Sequence, residues 1–306
     1  MASFIRWPLL LVVVTLAGQS AAFMVMASKV LVTGAGGRTG AIVVEKLMEK
    51  EGYNPVGFVH SEKSAKKLRK QFGKEFEVIV GDVMDADAVS KACEGMDSVV
   101  LCTSAVPKPV ISSIFKVLFN KYILRKADAG VPKFTFPQTP EDVDYTGALN
   151  QINGAKAAGV KKFVFLSSMG GTQPDNFLNT LGDGNILLWK RKAEIELTKS
   201  GVPWMDYTVV HPGGLLRDAG GKRQLLVGVN DAILAQQNRS VPRADVAEMC
   251  VQCLHLPEAK NLAFDLASLP EGEGVVTQGD AAFAGLLGPL AGKYDYSISD
   301  QPAMKR

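Results

Sequence analysis

Short apolar runs alternate with amphipathic stretches along the chain from Lys29 onwards. The runs are rich in β-branched residues, which suit strands, and they lack a period-2 alternation, which is typical of strands buried on both faces. They predict strands over residues 30–32, 56–59, 76–80, 98–102, 163–166 and 205–210. Apolar positions at helical spacing predict helices over residues 38–51, 64–72, 143–158 and 186–199. This alternation predicts an α/β protein with a doubly wound parallel sheet.

The pattern continues without an internal repeat or a low-complexity linker. We therefore expect a single domain over residues 29–306, in which a C-terminal elaboration follows the sixth strand. Residues 1–22 differ, because Arg6 precedes an apolar run and small residues follow it, which is the layout of a secretory signal peptide. The run is shorter than the roughly 20 apolar residues that span a bilayer.

Phe23 comes directly after the small residues of this leader. That arrangement resembles the cleavage site of bipartite plastid leaders in algae with complex plastids, and it extends the predicted leader to about residue 28. We expect entry into the secretory route and a plastid as the final compartment. The alternative is a cytoplasmic form that begins at an internal methionine, Met24 or Met26.

Composition excludes several classes of protein. The chain is 47% hydrophobic and 21% charged, which is unlike a disordered chain, and its net charge of +3 is too small for a nucleic-acid-binding surface. The four cysteines do not make a disulfide scaffold, and the three histidines are dispersed, so no metal site is expected. Cys250 and Cys253 form a C-x-x-C pair inside a predicted helix, where we interpret them as small buried residues.

A glycine-rich loop over residues 34–40 stands between the first predicted strand and the first predicted helix. Gly34 would allow a tight turn, Gly37 a close approach of a pyrophosphate, and Gly40 close packing of the helix on the sheet. The N-terminus of the following helix would supply N–H donors and a partial positive charge to the phosphates. In this context the loop predicts dinucleotide binding.

Further motifs follow the later strands in a fixed order, namely Gly81-Asp82, Thr103-Ser104, Ser167-Ser168, residues 185–194, His211-Pro212-Gly213 and residues 241–247. With the glycine loop, they make residues 30–274 resemble the atypical NAD(P)-binding branch of the short-chain dehydrogenase/reductase superfamily, which includes small plant NADP-binding proteins of Rossmann type. The loop and the resemblance together give the expected cofactor-binding residues: Gly34, Gly36, Gly37, Arg38, Thr39, Gly40, His60, Asp82, Thr103, Ser104, Lys190, Pro212 and Gly213.

The choice of nicotinamide cofactor depends on the end of the second strand. NAD enzymes place an acid there for the ribose hydroxyls, whereas this strand ends at His60 and the next acid is Glu62. Arg38 could face a 2′-phosphate instead. Since a charge-assisted hydrogen bond contributes about 1.5–3 kcal/mol, Arg38 alone would give roughly tenfold preference for NADP over NAD.

The resemblance implies a catalytic serine at Ser168 and a catalytic lysine at Lys190. The tyrosine that donates a proton in the superfamily would stand four residues before the lysine, but Ile186 occupies that position. One hypothesis is an NADP-dependent oxidoreductase on an unknown small substrate, with Tyr145, Asp144 or His211 as the proton donor. The alternative is an NADP-binding redox sensor or assembly protein without turnover.

Residues 108–137 resemble an insertion relative to this branch of the superfamily. Within them, residues 114–125 interleave apolar and basic side chains near helical spacing. The stretch could contact a protein or a membrane surface, or it could pack as a helix over the cofactor cleft.

Overall fold

The computed structural model describes residues 27–125, 128, 130–201 and 203–298. The predicted leader over residues 1–22 and both internal methionines lie outside these ranges. Strands are β1 Ser28–Thr33, β2 Tyr53–Val59, β3 Val78–Val80, β4 Ser98–Leu101, β5 Lys108–Pro109, β6 Phe134–Thr135, β7 Lys162–Leu166, β8 Asp206–Pro212, β9 Gly214–Leu216, β10 Leu225–Gly228, β11 Ser240–Pro242 and β12 Leu262–Ser268.

The α-helices lie between and after these strands. They are α1 Gly40–Glu49, α2 Glu62–Phe72, α3 Ala86–Cys93, α4 Ile111–Leu118, α5 Gly147–Ala157, α6 Phe177–Thr180, α7 Ile186–Gly201, α8 Arg243–Gln252 and α9 Asp280–Leu287. π-Helical turns cover Phe119–Ile123 and Glu141–Thr146, and short 3-10 turns cover Leu181–Asp183, Ala232–Ala235, Pro257–Ala259, Gly288–Leu290 and Tyr296–Ile298. No helix in the described ranges is both long and apolar enough to cross a bilayer.

Eight strands form one sheet in the order β10-β12-β8-β7-β4-β1-β2-β3. Neighbours in this sheet pair in parallel except β10 and β12, which are antiparallel. The chain moves outward from β1 through β2 to β3, then returns to β4 on the other side of β1. The strand order thus reverses between β1 and β4, and ligands of doubly wound sheets bind at the carboxyl ends of the strands beside such a point.

The sheet is buried on both faces because successive residues of each strand point to opposite layers. Val30 and Val32 pack in one apolar cluster with α1, α2, α8 and α9, whereas Leu31 packs in the other with α3, α5 and α7. This explains why the strands appear in the sequence as continuous apolar runs. The predicted α/β architecture with a doubly wound, mostly parallel sheet is confirmed, and all six predicted strands lie in it.

Two local features differ from the sequence-based expectation. The helix predicted over residues 143–158 begins earlier, with the π-helical turn Glu141–Thr146, and continues as α5. The C-terminal elaboration is part of the same sheet, since β12 extends it beside β8 and β10 forms its antiparallel edge.

The segment 108–135, the cleft arm, follows β4, and its described residues are 108–125, 128 and 130–135. Its two ends pair as a short antiparallel ribbon, with Lys108 opposite Thr135 and Pro109 opposite Phe134. Between them, α4 and its π-helical continuation contain no buried residue. This stretch therefore does not form a helix packed over the cleft.

The cysteines of the C-x-x-C pair are buried, as predicted. Cys250 lies on α8 and Cys253 follows it, and both thiols are free. Burial raises the pKa of the Cys253 thiol to about 12 and that of Cys250 well above its ordinary value. Neither thiol has the thiolate character that redox chemistry or metal binding needs.

Candidate functional site

A cleft of about 530 Å³ opens at the carboxyl ends of the parallel strands, beside the point where the strand order reverses. Its lining includes the glycine loop, the residues after β2, β3, β4, β7 and β8, and the first turn of α7. Every residue predicted to contact the cofactor lies on this lining, as does Ser168. Residues more than 150 positions apart in the sequence therefore share one cavity.

The glycine loop forms a narrow cradle that side chains would fill. Gly34 has a φ of +66°, and a Cβ there would lie 2.8 Å from the carbonyl oxygen of Cys102. A Cβ on Gly40, the first residue of α1, would overlap the carbonyl oxygen of Gly34. The Gly37 N–H donates to that same oxygen at 2.8 Å, which closes the turn. Bare backbone at the start of a helix fits the pyrophosphate of a dinucleotide.

The residues after β2 and β3 form one wall of the cleft. His60 Nδ1 lies 3.4 Å from Asp82 Oδ2. The same carboxylate oxygen accepts a hydrogen bond from Gln138 Nε2 at 3.1 Å, and the other accepts one from the Met84 N–H at 3.0 Å. Asp82 is thus held by its neighbours, and Gln138 is a lining residue that the sequence analysis missed.

Two further arginines belong to the same region as Arg38. Arg38 and Arg243 both line the cleft, and Arg217 lies near Arg243 but outside this lining. Burial, followed by the positive charges of Arg38 and Arg217, lowers the pKa of the Arg243 guanidinium. Arg243 donates to the carbonyl oxygen of Leu216 at 3.1 Å, and no carboxylate within the described ranges forms an ion pair with any of the three. Together they form an arginine cluster (Arg38, Arg217 and Arg243) suited to an anion.

Lys190 lies on the opposite wall, with its side chain buried. Its ammonium group is 2.8 Å from Asp144 Oδ1, and the other oxygen of that carboxylate accepts the Ala105 N–H at 3.0 Å. Asp144 lies in the π-helical turn before α5 and is 2% exposed. Asp144 is therefore the counter-charge of the buried lysine.

Ile186 and Ser168 line the cleft near Lys190. Ile186 begins α7 one turn before the lysine, so an apolar side chain stands where a proton-donating tyrosine would be. The Ser168 hydroxyl donates to the carbonyl oxygen of Met169 at 3.2 Å. At this position the cleft wall therefore carries an apolar side chain and no proton-donating group.

A buried polar network lies directly behind this wall. Ser167 lines the cleft, and its hydroxyl donates to Glu194. The other oxygen of Glu194 is 3.0 Å from His211 Nε2, and His211 Nδ1 is 3.6 Å from Asp265. Burial opposes the charge on both members of the central pair. It is outweighed by their mutual attraction, so the pKa of Glu194 is lowered and that of His211 is raised.

The three hypothetical proton donors from the sequence analysis occupy other positions. His211 is buried in β8, Asp144 is paired with Lys190, and Tyr145 packs its ring 5.5 Å from that of Trp189. None of the three lines the cleft. Ser167, which does, was named in a motif but not as a site residue, because its hydrogen bond to Glu194 on α7 leaves no local sequence pattern.

Comparison with known proteins agrees with this geometry. The fold and the cleft together define a Rossmann-type nucleotide-binding protein. The sequence profile of the NAD(P)H-binding family matches residues 34–257, and the chain belongs to this family. It is 44% identical over 258 residues to sanguinarine reductase of Eschscholzia californica, which covers 81% of this chain and 92% of the reductase.

Two other matches extend the comparison. An uncharacterized chloroplastic protein of Arabidopsis thaliana is 47% identical over 252 residues, covering 81% of this chain and 72% of that protein. Among solved structures, a Bacillus halodurans protein of the NAD-dependent epimerase/dehydratase class superimposes with a TM-score of 0.62 at 24% identity. The match covers 86% of this chain and all of that one. At that identity the structural likeness concerns the fold alone.

Proposed function

We propose that the protein is an NADP(H)-dependent oxidoreductase that acts on a small molecule. The observation that carries this proposal is the buried Lys190, whose ammonium group is held by Asp144 at the wall of the cleft. The family is NAD(P)H-binding, and the chain is similar to a reductase, which supports redox chemistry in this cleft.

The selection of NADP over NAD rests on the arginine cluster. Arg38 and Arg243 line the cleft, Arg217 lies near Arg243, and β2 is followed by His60 where NAD enzymes hold an acid. A 2′-phosphate would satisfy these cations, each charge-assisted hydrogen bond contributing about 1.5–3 kcal/mol. Arg38, on the loop, and Arg243, at the start of α8, would hold it from two sides.

When bound, the nicotinamide supplies hydride transfer. Lys190 would hold the nicotinamide ribose, with Asp144 fixing the position of the lysine. Ser168 would orient the oxygen of the substrate from the same wall. Ile186 and Leu187 would contribute apolar surface that excludes water from this end of the cleft.

Ser167 is the group to which we assign the proton. Its hydroxyl would give a proton to the substrate oxygen and regain one from the water of the open cleft, while Glu194, itself held by His211, fixes the position of the Ser167 side chain. The net change is one proton taken from solvent for each hydride transferred. Such a donor replaces the missing tyrosine without a hydroxyl on α7.

We also propose a plastid location. The support is the predicted leader, with Phe23 after its small residues, and the chloroplastic relative in Arabidopsis. A fluorescent protein fused behind residues 1–28 should accumulate in the plastid of an alga with a complex plastid. Accumulation in the cytoplasm would contradict this location.

Titration of the purified protein with NADPH and NADH, followed by nicotinamide fluorescence and by heat, tests the cofactor proposal. NADPH should bind at least roughly tenfold more tightly than NADH. Equal affinities would contradict the role of the arginine cluster, and binding of neither would contradict the whole proposal. NADPH binding without oxidation by any aldehyde, ketone or quinone of a broad panel would favour the sensor or assembly alternative, which the missing tyrosine also supports.

A further inference from the structure

The cleft arm carries an apolar surface that nothing in the described domain covers. Phe115, Tyr122 and Ile123 are each about two-thirds exposed, and Phe119 is about half exposed. They follow one another along α4 and its π-helical turn and make a continuous patch with Leu118. A soluble domain rarely leaves so large an apolar patch in water unless it binds something.

The charged residues that neighbour this patch in the sequence are of one sign. No acidic residue occurs between Asp97 and Asp128. The same stretch contains the cations Lys108, Lys116, Lys121, Arg125 and Lys126. In α4 and the π-helical turn, Lys116 and Lys121 are exposed beside the aromatic side chains. Aromatic and aliphatic side chains bordered by cations alone are typical of segments that lie in the headgroup region of an anionic bilayer.

We propose that the cleft arm binds the surface of an anionic membrane, with Phe115, Phe119, Tyr122 and Ile123 in the headgroup and acyl boundary. Charge complementarity favours this occupant over a second copy of the chain. A twofold contact would bring the two identical patches, and with them two sets of cations, against each other. An anionic lipid surface neutralises those cations and also accepts the apolar side chains.

The attachment would also orient the domain. Pro107 precedes the first strand of the ribbon, Phe136 follows the second, and both residues line the cleft. A bound arm therefore holds this rim of the cleft close to the lipid. The inference does not depend on turnover, because the arm would bind membranes equally in an oxidoreductase and in a sensor.

Position in the bilayer is the direct test. The full chain carrying Tyr122→Trp is mixed with vesicles of phosphatidylglycerol and brominated phosphatidylcholine, whose bromine quenches nearby indoles. The variant should show quenching beyond that of the unmodified chain, which shares Trp7 in the predicted leader. If the variant binds vesicles and its added indole is not quenched, another part of the chain binds the membrane and the proposal is overturned.

Partition into the same vesicles tests the residues. Phe115→Ser with Phe119→Ser should lower the partition coefficient by roughly tenfold or more. Trp204→Ser should not change it. Trp204 is a similarly exposed aromatic residue that precedes β8, at the amino ends of the parallel strands. Lys116→Gln with Lys121→Gln should weaken binding by roughly fivefold per charge, and Lys66→Gln with Lys67→Gln on α2 should have less effect.

Three results would contradict the proposal. These are unchanged binding of the double phenylalanine variant, equal binding to vesicles of pure phosphatidylcholine, and a dimer in sedimentation that the same double substitution abolishes. Circular dichroism of each variant confirms that it is folded, so that loss of binding reports on the arm.

Discussion

The ammonium group of Lys190 lies 2.8 Å from a carboxylate oxygen of Asp144, and both side chains are buried. Substituting Asp144→Asn leaves that ammonium buried without a counter-charge. Breaking a buried pair in this way costs about 3–5 kcal/mol, which urea unfolding measures. Lys199→Gln removes one partner of the exposed pair with Glu196 and should cost less than about 1 kcal/mol. Similar losses of unfolding free energy in the two variants would show that the buried pair contributes no more to stability than the exposed pair.

Arg38→Gln should reduce affinity for NADPH by roughly tenfold or more and leave affinity for NADH nearly unchanged. The reason is that only the 2′-phosphate is expected to reach the arginine cluster. Arg239→Gln, which removes an exposed arginine bound to the carbonyl oxygen of Leu234, serves as the control. Parallel losses for both nucleotides would instead assign Arg38 to the pyrophosphate. Fluorescence titration distinguishes these results.

Ile186→Tyr would put a phenol one helical turn before Lys190, on the lining of the cleft. We expect it to raise the rate of NADPH oxidation with para-nitrobenzaldehyde, since a positioned proton donor contributes about 10²–10⁴ in rate. Ile186→Phe fills the same space without a proton and should not raise the rate. An equal gain in both variants would mean that the ring, and not the hydroxyl, is responsible.

Ser167→Ala removes the hydroxyl that donates to Glu194. With the carbonyl compound that the unmodified protein reduces fastest, kcat should fall by about 10²–10⁴ while the affinity for NADPH stays the same. Ser168→Ala is the informative comparison, because the Ser168 hydroxyl donates to the Met169 carbonyl oxygen rather than to Glu194. A fall in kcat for Ser168→Ala alone would move the proton donor to that residue.

Asp265 gives the protein a pH-dependent stability. Burial raises the pKa of its carboxyl to about 7, with the charge of His211 opposing that effect. The folded state thus binds this proton more tightly than the unfolded state does, and its contribution to stability falls as the pH rises from about 4 to about 7. The unfolding free energy of Asp265→Asn, compared with that of the unmodified protein at the same pH, should therefore rise as the pH rises from about 4 to about 7. Asp175→Asn, in an exposed loop, should show a constant difference, and a constant difference for Asp265→Asn would contradict the assignment.

Much of the fold could be predicted because its signals are local. Strand β1 and the glycine loop are contiguous, and strands buried on both faces stand out as apolar runs. Strand β12 was missed because Asp265 interrupts the apolar part of a run of seven buried residues that ends at Ser268. The π-helical turn before α5 was missed because its longer period does not show in a pattern scored for 3.6 residues per turn.

The site was predictable only where one segment carries it. The residues of the glycine loop follow one another, so their joint role can be inferred from spacing. Arg243 and Arg38 are more than 200 positions apart, and their proximity depends on the packing of α8 against α1. The burial of Asp144 likewise depends on the position of Lys190, which no periodicity of its own helix indicates.

The wide separation in sequence of the residues that line the cleft decides when the chain can bind a nucleotide. Gly34 and Arg243 belong to opposite ends of the sequence, so the cleft is complete only when nearly the whole domain has folded. A nucleotide cannot nucleate folding of an early fragment, and a chain that crosses a membrane unfolded must acquire its nucleotide afterwards. The bound nucleotide stabilises the folded domain as a whole, because it contacts residues from both parts of the sequence. Protection from proteolysis should therefore rise with nucleotide concentration across the whole domain.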